Sequence, residues 1–281
     1  MKSILLTGAK GTLAKIFINM YSGDYDITSA VRHPQSADEV KFNGWEDISS
    51  EIKVDLVIHF AGKYLVEESI NSQHQVNDAV IGSAASILDY CVSTSTPLIA
   101  LGSYFEKAPS ADYPWSHYAI AKEAAKNLIK LASDNHGVTI RYLYTYDTYG
   151  RDISRGKIVD VLLSEKTKKL DLSPGEQRMN LTHEQDLSSA INLVVTEIMN
   201  GSSGYREHQI KNEFDEYTLK EIVEIVNSKR TNKIDVKFGA KPYRKREAFS
   251  VWDCAPAVPN WKPNYNFVSF VENYLKDKNA E

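Results

Sequence analysis

Tyr118 and Lys122 are the pair whose types and spacing point most directly to chemistry. They lie in Trp115-Ser116-His117-Tyr118-Ala119-Ile120-Ala121-Lys122, which runs on into Glu123-Ala124-Ala125-Lys126-Asn127-Leu128-Ile129, a stretch of high helix propensity. On a helix, residues four apart share one face, so the phenol and the ammonium would project together. A free phenol has a pKa of about 10. A nearby ammonium lowers it by favouring the phenolate. The pair can then serve as general acid or base in alcohol–ketone chemistry. Tyr and Lys at this spacing are also ordinary on amphipathic helices, so the rest of the chain has to supply the context.

That context begins at the N-terminus. Ile4-Leu5-Leu6 is a short apolar run that predicts a buried strand. It ends in Thr7-Gly8-Ala9-Lys10-Gly11-Thr12-Leu13-Ala14, after which Leu13, Ile16, Phe17 and Met20 repeat at helical spacing. Strand, glycine-rich turn and helix together form the setting of a dinucleotide-binding fingerprint. Gly8 would permit the tight turn, and Gly11 would let the backbone approach a pyrophosphate. Ala14 would allow close helix–strand packing. The helix start at Thr12 and Leu13 would offer N–H groups and a favourable dipole to phosphate.

Asp26–Val31 predicts the second strand, with Arg32-His33-Pro34 after it. An acidic residue here would bond the ribose hydroxyls of NAD, whereas Arg accommodates a 2′-phosphate. No Asp or Glu lies between Asp26 and Asp38, so Arg32, with Lys10 in the turn, favours NADP(H) over NAD(H). Val54–Gly62 holds a further buried strand, Pro97–Leu101 predicts the next, and Val138–Leu143 another. Gly102-Ser103 follows the Pro97–Leu101 strand at its C-terminal end, where α/β sheets place ligands.

The Gly-x-x-Gly-x-x-Ala spacing with Tyr-x-x-x-Lys downstream resembles the extended short-chain dehydrogenase/reductases, and within them the NAD(P)-dependent epimerase/dehydratase family that acts on nucleotide sugars. The resemblance runs along most of the chain. It implies a Rossmann-type doubly wound parallel α/β sheet over 1–150, and a smaller mixed substrate-binding region over 151–281 that completes the sheet with some of its segments. Asp47-Ile48 resembles the family's segment beside the adenine. His59-Phe60-Ala61-Gly62 resembles the strand end that passes along the cofactor, with Gly62 in place of a second Ala and His59 read as a hydrogen-bonded core residue. Asn77–Ser83 is similar to the family's Asn-x-x-Gly-Thr helix. Ser103 corresponds to the Ser or Thr that bonds the reacting oxygen, although it stands only fifteen positions before Tyr118. The Thr-Asp-Glu of the dehydratases is replaced by Ser103-Tyr104-Phe105-Glu106, which disfavours dehydration. Arg178 and Arg244 match the arginines that meet the nucleotide diphosphate, with Arg246 a competitor of the second. Asn260-Trp261-Lys262-Pro263 resembles a Gly-Trp-x-Pro turn, with Asn tolerating the left-handed conformation usually left to Gly.

The resemblance therefore implies NADPH-dependent reduction at C4 of a CDP- or dTDP-linked 4-keto-6-deoxy or 3,6-dideoxy sugar, in deoxysugar or O-antigen synthesis. A 4-epimerase with retained NAD(P) and a non-catalytic dinucleotide-binding regulator are the alternatives. A homodimer is also implied, with Ala119, Ala124, Ala125 and Leu128 as a face that would pack either on a second copy or on the sheet.

Composition sets bounds on these readings. The 281 residues are 42% hydrophobic and 25% charged, with a net charge of -4, so neither nucleic acid nor a membrane surface is an expected partner. No apolar run reaches membrane-span length, and the first residues lack the features of a signal peptide. Cys91 and Cys254 fit no metal spacing and read as free thiols of a cytosolic protein, Cys91 packed in a helix. Lys276–Glu281 reads as a frayed tail.

Overall fold

The computed structural model describes residues 1–43, 48–65, 69–107 and 116–280. In chain order the elements are β1 Lys2–Thr7, α1 Thr12–Tyr21, β2 Tyr25–Val31, β3 Glu39–Lys41, β4 Leu56–His59, α2 Ile70–Asn77, α3 Ser83–Thr94, β5 Leu98–Ser103, α4 His117–His136, β6 Ile140–Thr145, β7 Asp147–Tyr149, α5 Ile158–Leu163, β8 Lys169–Asp171, β9 Arg178–His183, α6 Glu184–Met199, β10 Tyr205–Ile210, β11 Glu216–Thr218, α7 Leu219–Lys229, β12 Asp235–Lys237 and α8 Phe267–Ala280. They fall into two compact units. The first holds Met1–Thr145, Ser188–Gln209 and Cys254–Trp261, and the second holds Tyr146–Leu187, Ile210–Asp253 and Lys262–Glu281.

The first unit is built on a seven-stranded sheet in the order β10-β6-β5-β4-β1-β2-β3. The pairings from β3 across to β6 are all parallel. Strand order reverses beside β1, which is the switch point where such sheets bind ligands. Ile4, Leu5 and Leu6 of β1 and Leu56, Val57 and Ile58 of β4 are all fully buried, so these strands are unbroken apolar runs, as a sheet covered on both faces requires. Phe17 of α1 is also fully buried and packs its ring near those of Tyr21, Tyr25 and Phe60. Burying such a ring is worth about 1.5–3 kcal/mol.

Arg141 draws later segments into the same unit. Its guanidinium, fully buried on β6, bonds Glu197 Oε1 at 2.9 Å, Gly204 O at 2.6 Å and Ser202 Oγ at 2.6 Å. A buried cation is tolerated only when its donors are satisfied in this way. Cys91 is buried in α3, and both cysteines are free thiols. Asn77 ends α2, and its Oδ1 lies 3.0 Å from His117 Nε2. A π-helical turn, Asp78–Gly82, then leads into α3.

The second unit carries a mixed three-stranded sheet, β11-β9-β7, and a parallel pair, β12-β8. Its core gathers Tyr149, Leu162, Leu181, Ile222, Phe267 and Val271. Asp215 Oδ2 accepts the Phe267 N–H at 2.8 Å and so caps α8. That helix continues to Ala280, and Lys276 pairs with Glu272 at 2.7 Å, so the tail read as frayed is helical up to its last described residue. Asn260, in the first unit, takes the left-handed φ of 62° expected of it.

Candidate active site

The glycine turn is shaped by two close approaches. Gly8 has φ 69°, and a Cβ there would lie 2.8 Å from Ala61 N and 2.9 Å from Phe60 C. Only glycine fits both the conformation and the space. Gly11 N donates to Gly8 O at 2.8 Å, closing the turn. Gly11 then starts α1 in extended geometry with no side-chain cap, and Thr12 and Leu13 are the first helical residues. An uncapped helix start at a strand's C-terminal end is a ready anion seat.

Beneath the turn, Thr7 Oγ1 lies 2.8 Å from His59 Nδ1, and Ser83 Oγ lies 3.3 Å from His59 Nε2. Both ring nitrogens have partners, and burial holds this histidine near a pKa of about 3. It is a neutral structural link, in keeping with its expected core role.

A groove of about 880 Å³ opens along the turn. Its wall brings together Gly8, Lys10, Gly11, Arg32, Ala61 and Gly62, six of the residues that the sequence assigned to the cofactor. Thr12 and Leu13 lie beyond this wall at the start of α1, and Ile48 is buried in the core. Asp47 lies outside the described residues. His33, Lys63 and Gln75 also line the groove and were not singled out from the sequence. Lys10 Nζ donates to His33 O at 3.3 Å and stands 3.7 Å from Glu39 Oε1, while Lys63 Nζ donates to Gln75 Oε1 at 2.6 Å. The glycine cradle, the bare helix start and the cations of the wall fit a dinucleotide.

Tyr118, Lys122 and Ser103 are not among the residues that line this groove. Ser116 caps α4 by accepting the Ala119 N–H at 3.2 Å, which sets the phase of the helix. Lys122 is buried, and its Nζ donates to Leu101 O at 2.7 Å. That Nζ stands 6.0 Å from the centroid of the Tyr118 ring, and a Cβ on Gly62 would lie 3.7 Å from it. Tyr64 meets the Tyr118 ring edge-on at 5.2 Å. Ser103, buried at the end of β5, accepts the Phe105 N–H on its Oγ at 3.4 Å.

The electrostatics differ from the sequence expectation in one respect. Burial pushes the Tyr118 phenol up, and the charge of Glu106 and then Tyr64 add to the rise. Burial also pushes Lys122 down, with Glu106 opposing it. Excluding water penalises phenolate and ammonium alike, and the ammonium directs its hydrogen bond to Leu101. Tyr118 is therefore held as a proton donor, whereas the spacing alone had suggested a lowered pKa.

Glu106, which entered the sequence argument only against the acid pair of the dehydratases, had no role assigned to it there. It is buried, its Oε1 accepts the Ser103 N–H at 2.6 Å, and its Oε2 accepts the Tyr142 O–H at 2.8 Å. Burial pushes its pKa up to about 7. The signal available was its place three residues past Ser103, at the C-terminal end of a buried strand.

The two arginines read for diphosphate both stand in the second unit. Arg178 opens β9, with its Nε donating to Glu216 Oε1 at 2.9 Å. Arg244 is exposed between β12 and α8, and its N–H donates to Glu247 Oε2 at 3.3 Å. Among the described residues no cluster of metal-ligating side chains occurs, and no helix is long and apolar enough to cross a membrane.

Comparison with known proteins gives three findings. The model of the NAD dependent epimerase/dehydratase family matches residues 4–206. A curated relative, CDP-abequose synthase of Yersinia pseudotuberculosis, is 28% identical over 269 residues, covering 88% of this chain and 90% of the relative. Among solved structures, MoeE5 in complex with UDP-glucuronic acid and NAD matches with a TM-score of 0.84 at 14% identity, over 98% of this chain and 99% of that one. The UDP-glucuronic acid 4-epimerase of Bacillus cereus matches with a TM-score of 0.81 at 15% identity, over 98% of this chain and 99% of that one. At such identities these last two likenesses bear on the fold alone.

Proposed function

The chain belongs to the NAD dependent epimerase/dehydratase family, and from that premise we propose that it reduces the 4-keto group of a nucleotide-linked 4-keto-6-deoxy or 3,6-dideoxy sugar with NADPH. CDP and dTDP are the preferred nucleotides. The observation that carries this reading is the position of Lys122: one turn from Tyr118 on α4, its Nζ bonds Leu101 O near the end of β5, and a Cβ on the groove residue Gly62 would lie 3.7 Å from it. The relative of 28% identity, a CDP-abequose synthase, supports a CDP-linked sugar.

The groove residues Gly8, Gly11, Ala61 and Gly62 would hold the dinucleotide, with Lys10 and Arg32 favouring a 2′-phosphate. When bound, the nicotinamide supplies hydride. Ser103 Oγ bonds the ketone oxygen, where negative charge develops. Tyr118, kept protonated by burial, gives its proton to that oxygen as the alcohol forms. Lys122 would hold the nicotinamide ribose, and its ammonium, 6.0 Å from the centroid of the Tyr118 ring, would place a positive charge near the phenol as it loses its proton. Arg178 and Arg244 of the second unit are assigned to the diphosphate, where planar guanidinium forks suit paired oxygens. Binding remote from the ketone then contributes to its placement. We further assign the protein a homodimeric state.

The test is purified protein with NADPH and a panel of CDP-, dTDP- and GDP-linked 4-keto-6-deoxyhexoses. Stoichiometric NADPH oxidation with a CDP or dTDP substrate is the expected result. Interconversion of ordinary nucleotide hexoses without net oxidation would replace the reductase with an epimerase. Binding of NADPH with neither activity would favour a regulator.

A further inference from the structure

Strand β4 stops at His59, opposite Ala100, while β5 runs on to Ser103. Along a strand, alternate residues aim their N–H and C=O at the same edge. Leu98 N and Gly102 O serve the β6 side, through Thr139 O at 2.9 Å and Thr145 Oγ1 at 2.8 Å, while Pro97 O serves the β4 side through Val57 N at 2.9 Å. Leu101 and Ser103 therefore face the β4 side, where the partner strand has ended. Two charged side chains take over their backbone groups. Lys122 Nζ bonds Leu101 O at 2.7 Å, and Glu106 Oε1 bonds Ser103 N at 2.6 Å. A buried cation and a buried anion thus share one bared strand edge.

Gly102 makes room for this arrangement. A Cβ there would lie 2.3 Å from Tyr142 Cε1, so the absent side chain lets the Tyr142 ring lie across the strand and reach Glu106 Oε2 at 2.8 Å. We propose that Glu106 is a positioning residue: its buried carboxylate fixes the turn that carries Ser103 and supplies the negative charge that keeps Lys122 an ammonium. The catalytic meaning of this role rests on the function proposed above, but the charge coupling itself does not.

The groups that act electrostatically on Glu106 are Lys122, Lys126 and Tyr118 from α4, Tyr142 and Tyr144 from β6, and Tyr205 from β10. Lys126 is half-buried and lies 5.8 Å over the Tyr144 ring. Lys122 is the cation that burial deprives of water. Glu106 loses its proton at about 7, so its charge is in place through the alkaline range in which burial would otherwise strip the proton from Lys122.

The experiment reads Lys122 directly and needs neither substrate nor turnover. The full chain is labelled with ¹³C at lysine Cε and glutamate Cδ, with Lys122→Arg and Glu106→Gln assigning the resonances. It is titrated from about pH 5 to about pH 11. Glu106→Gln is expected to lower the Lys122 midpoint by about one pH unit or more, a tenfold change in acidity. Tyr142→Phe, which keeps the carboxylate, is expected to leave it near its original value. In the unaltered protein the Lys122 resonance should show a second inflection at the midpoint of Glu106. An unmoved Lys122 midpoint in Glu106→Gln overturns the proposal. If that variant does not fold, the lack of the second inflection in the unaltered protein overturns it equally. If the coupling is found but the chain reduces no keto sugar, the proposed substrate is wrong and the coupling stands.

Discussion

Gly8 and Ala61 meet backbone to backbone, so closely that a Cβ on Gly8 would lie 2.8 Å from the Ala61 nitrogen. The left-handed φ of Gly8 would cost a side-chain-bearing residue about 1–2 kcal/mol before any collision. Gly8→Ala should therefore lower the melting temperature and weaken NADPH binding at least about tenfold, because the turn must open to relieve the contact. Fluorescence titration and thermal melting measure both. Unchanged NADPH affinity would remove this turn as the cofactor seat.

Tyr118→Phe keeps the ring that packs against Tyr64 and removes only the proton donor. NADPH oxidation with the accepted keto sugar should fall by about 10²–10⁴-fold, the usual contribution of a general acid. NADPH affinity should stay within a small factor of the original. Steady-state kinetics and a binding titration separate the two, and a variant that keeps its rate contradicts the role of Tyr118.

Arg32 lines the groove just past β2. A hydrogen bond to a charged group is worth about 1.5–3 kcal/mol, so Arg32→Ala should reduce the preference for NADPH over NADH by roughly ten- to a hundredfold. The measurement is the ratio of dissociation constants for the two cofactors. A ratio that does not move would return the choice between them to Lys10 or to neither residue.

Glu106 makes stability depend on pH. Burial pushes its pKa from 4.5 up to about 7, so the folded chain holds this proton more tightly than the unfolded chain. The associated stability is fully present below about pH 4.5 and is lost as pH rises through about 7. The unaltered protein should lose on the order of 2–3 kcal/mol through this group, and Glu106→Gln should escape that loss. Urea midpoints for both proteins at about pH 5 and about pH 8 give the comparison, and parallel changes in the two would contradict it.

Arg141 is fully buried, and its partners Glu197, Ser202 and Gly204 come from the segment between residues 197 and 204, besides Ile140 O at 3.0 Å. Arg141→Met leaves Gly204 O and Ser202 Oγ without this donor, and breaking such a buried set costs about 3–5 kcal/mol. A markedly lower urea midpoint is expected. A midpoint within error of the original would show that packing alone keeps β10 in place.

Local pattern carried much of this structure. Ile4-Leu5-Leu6 followed by glycines left little choice but a buried strand and a tight turn, and Tyr118 and Lys122 needed only a helix to share a face. The assignment of Asn260 to a left-handed turn rested on the resemblance to a Gly-Trp-x-Pro turn and on the tolerance of Asn for that conformation. What pattern could not supply was the consequence of burial. Glu106 reads as an ordinary loop carboxylate until Tyr142 and the end of β5 enclose it. Tyr118 was expected to be acidified by its neighbour, but burial and then the charge of Glu106 push its phenol up. Arg178 looked available in sequence, yet Glu216, which pairs with it, comes from a strand much later in the chain.

The early stop of β4 has a consequence for how this protein can change. Lys122 and Glu106 are moored to a carbonyl and an amide that every non-proline amino acid provides. Drift at position 101 could thus swap one apolar side chain for another and leave the ammonium's mooring intact. Insertion of a further ladder rung after His59 would evict both charges at once, without altering either residue.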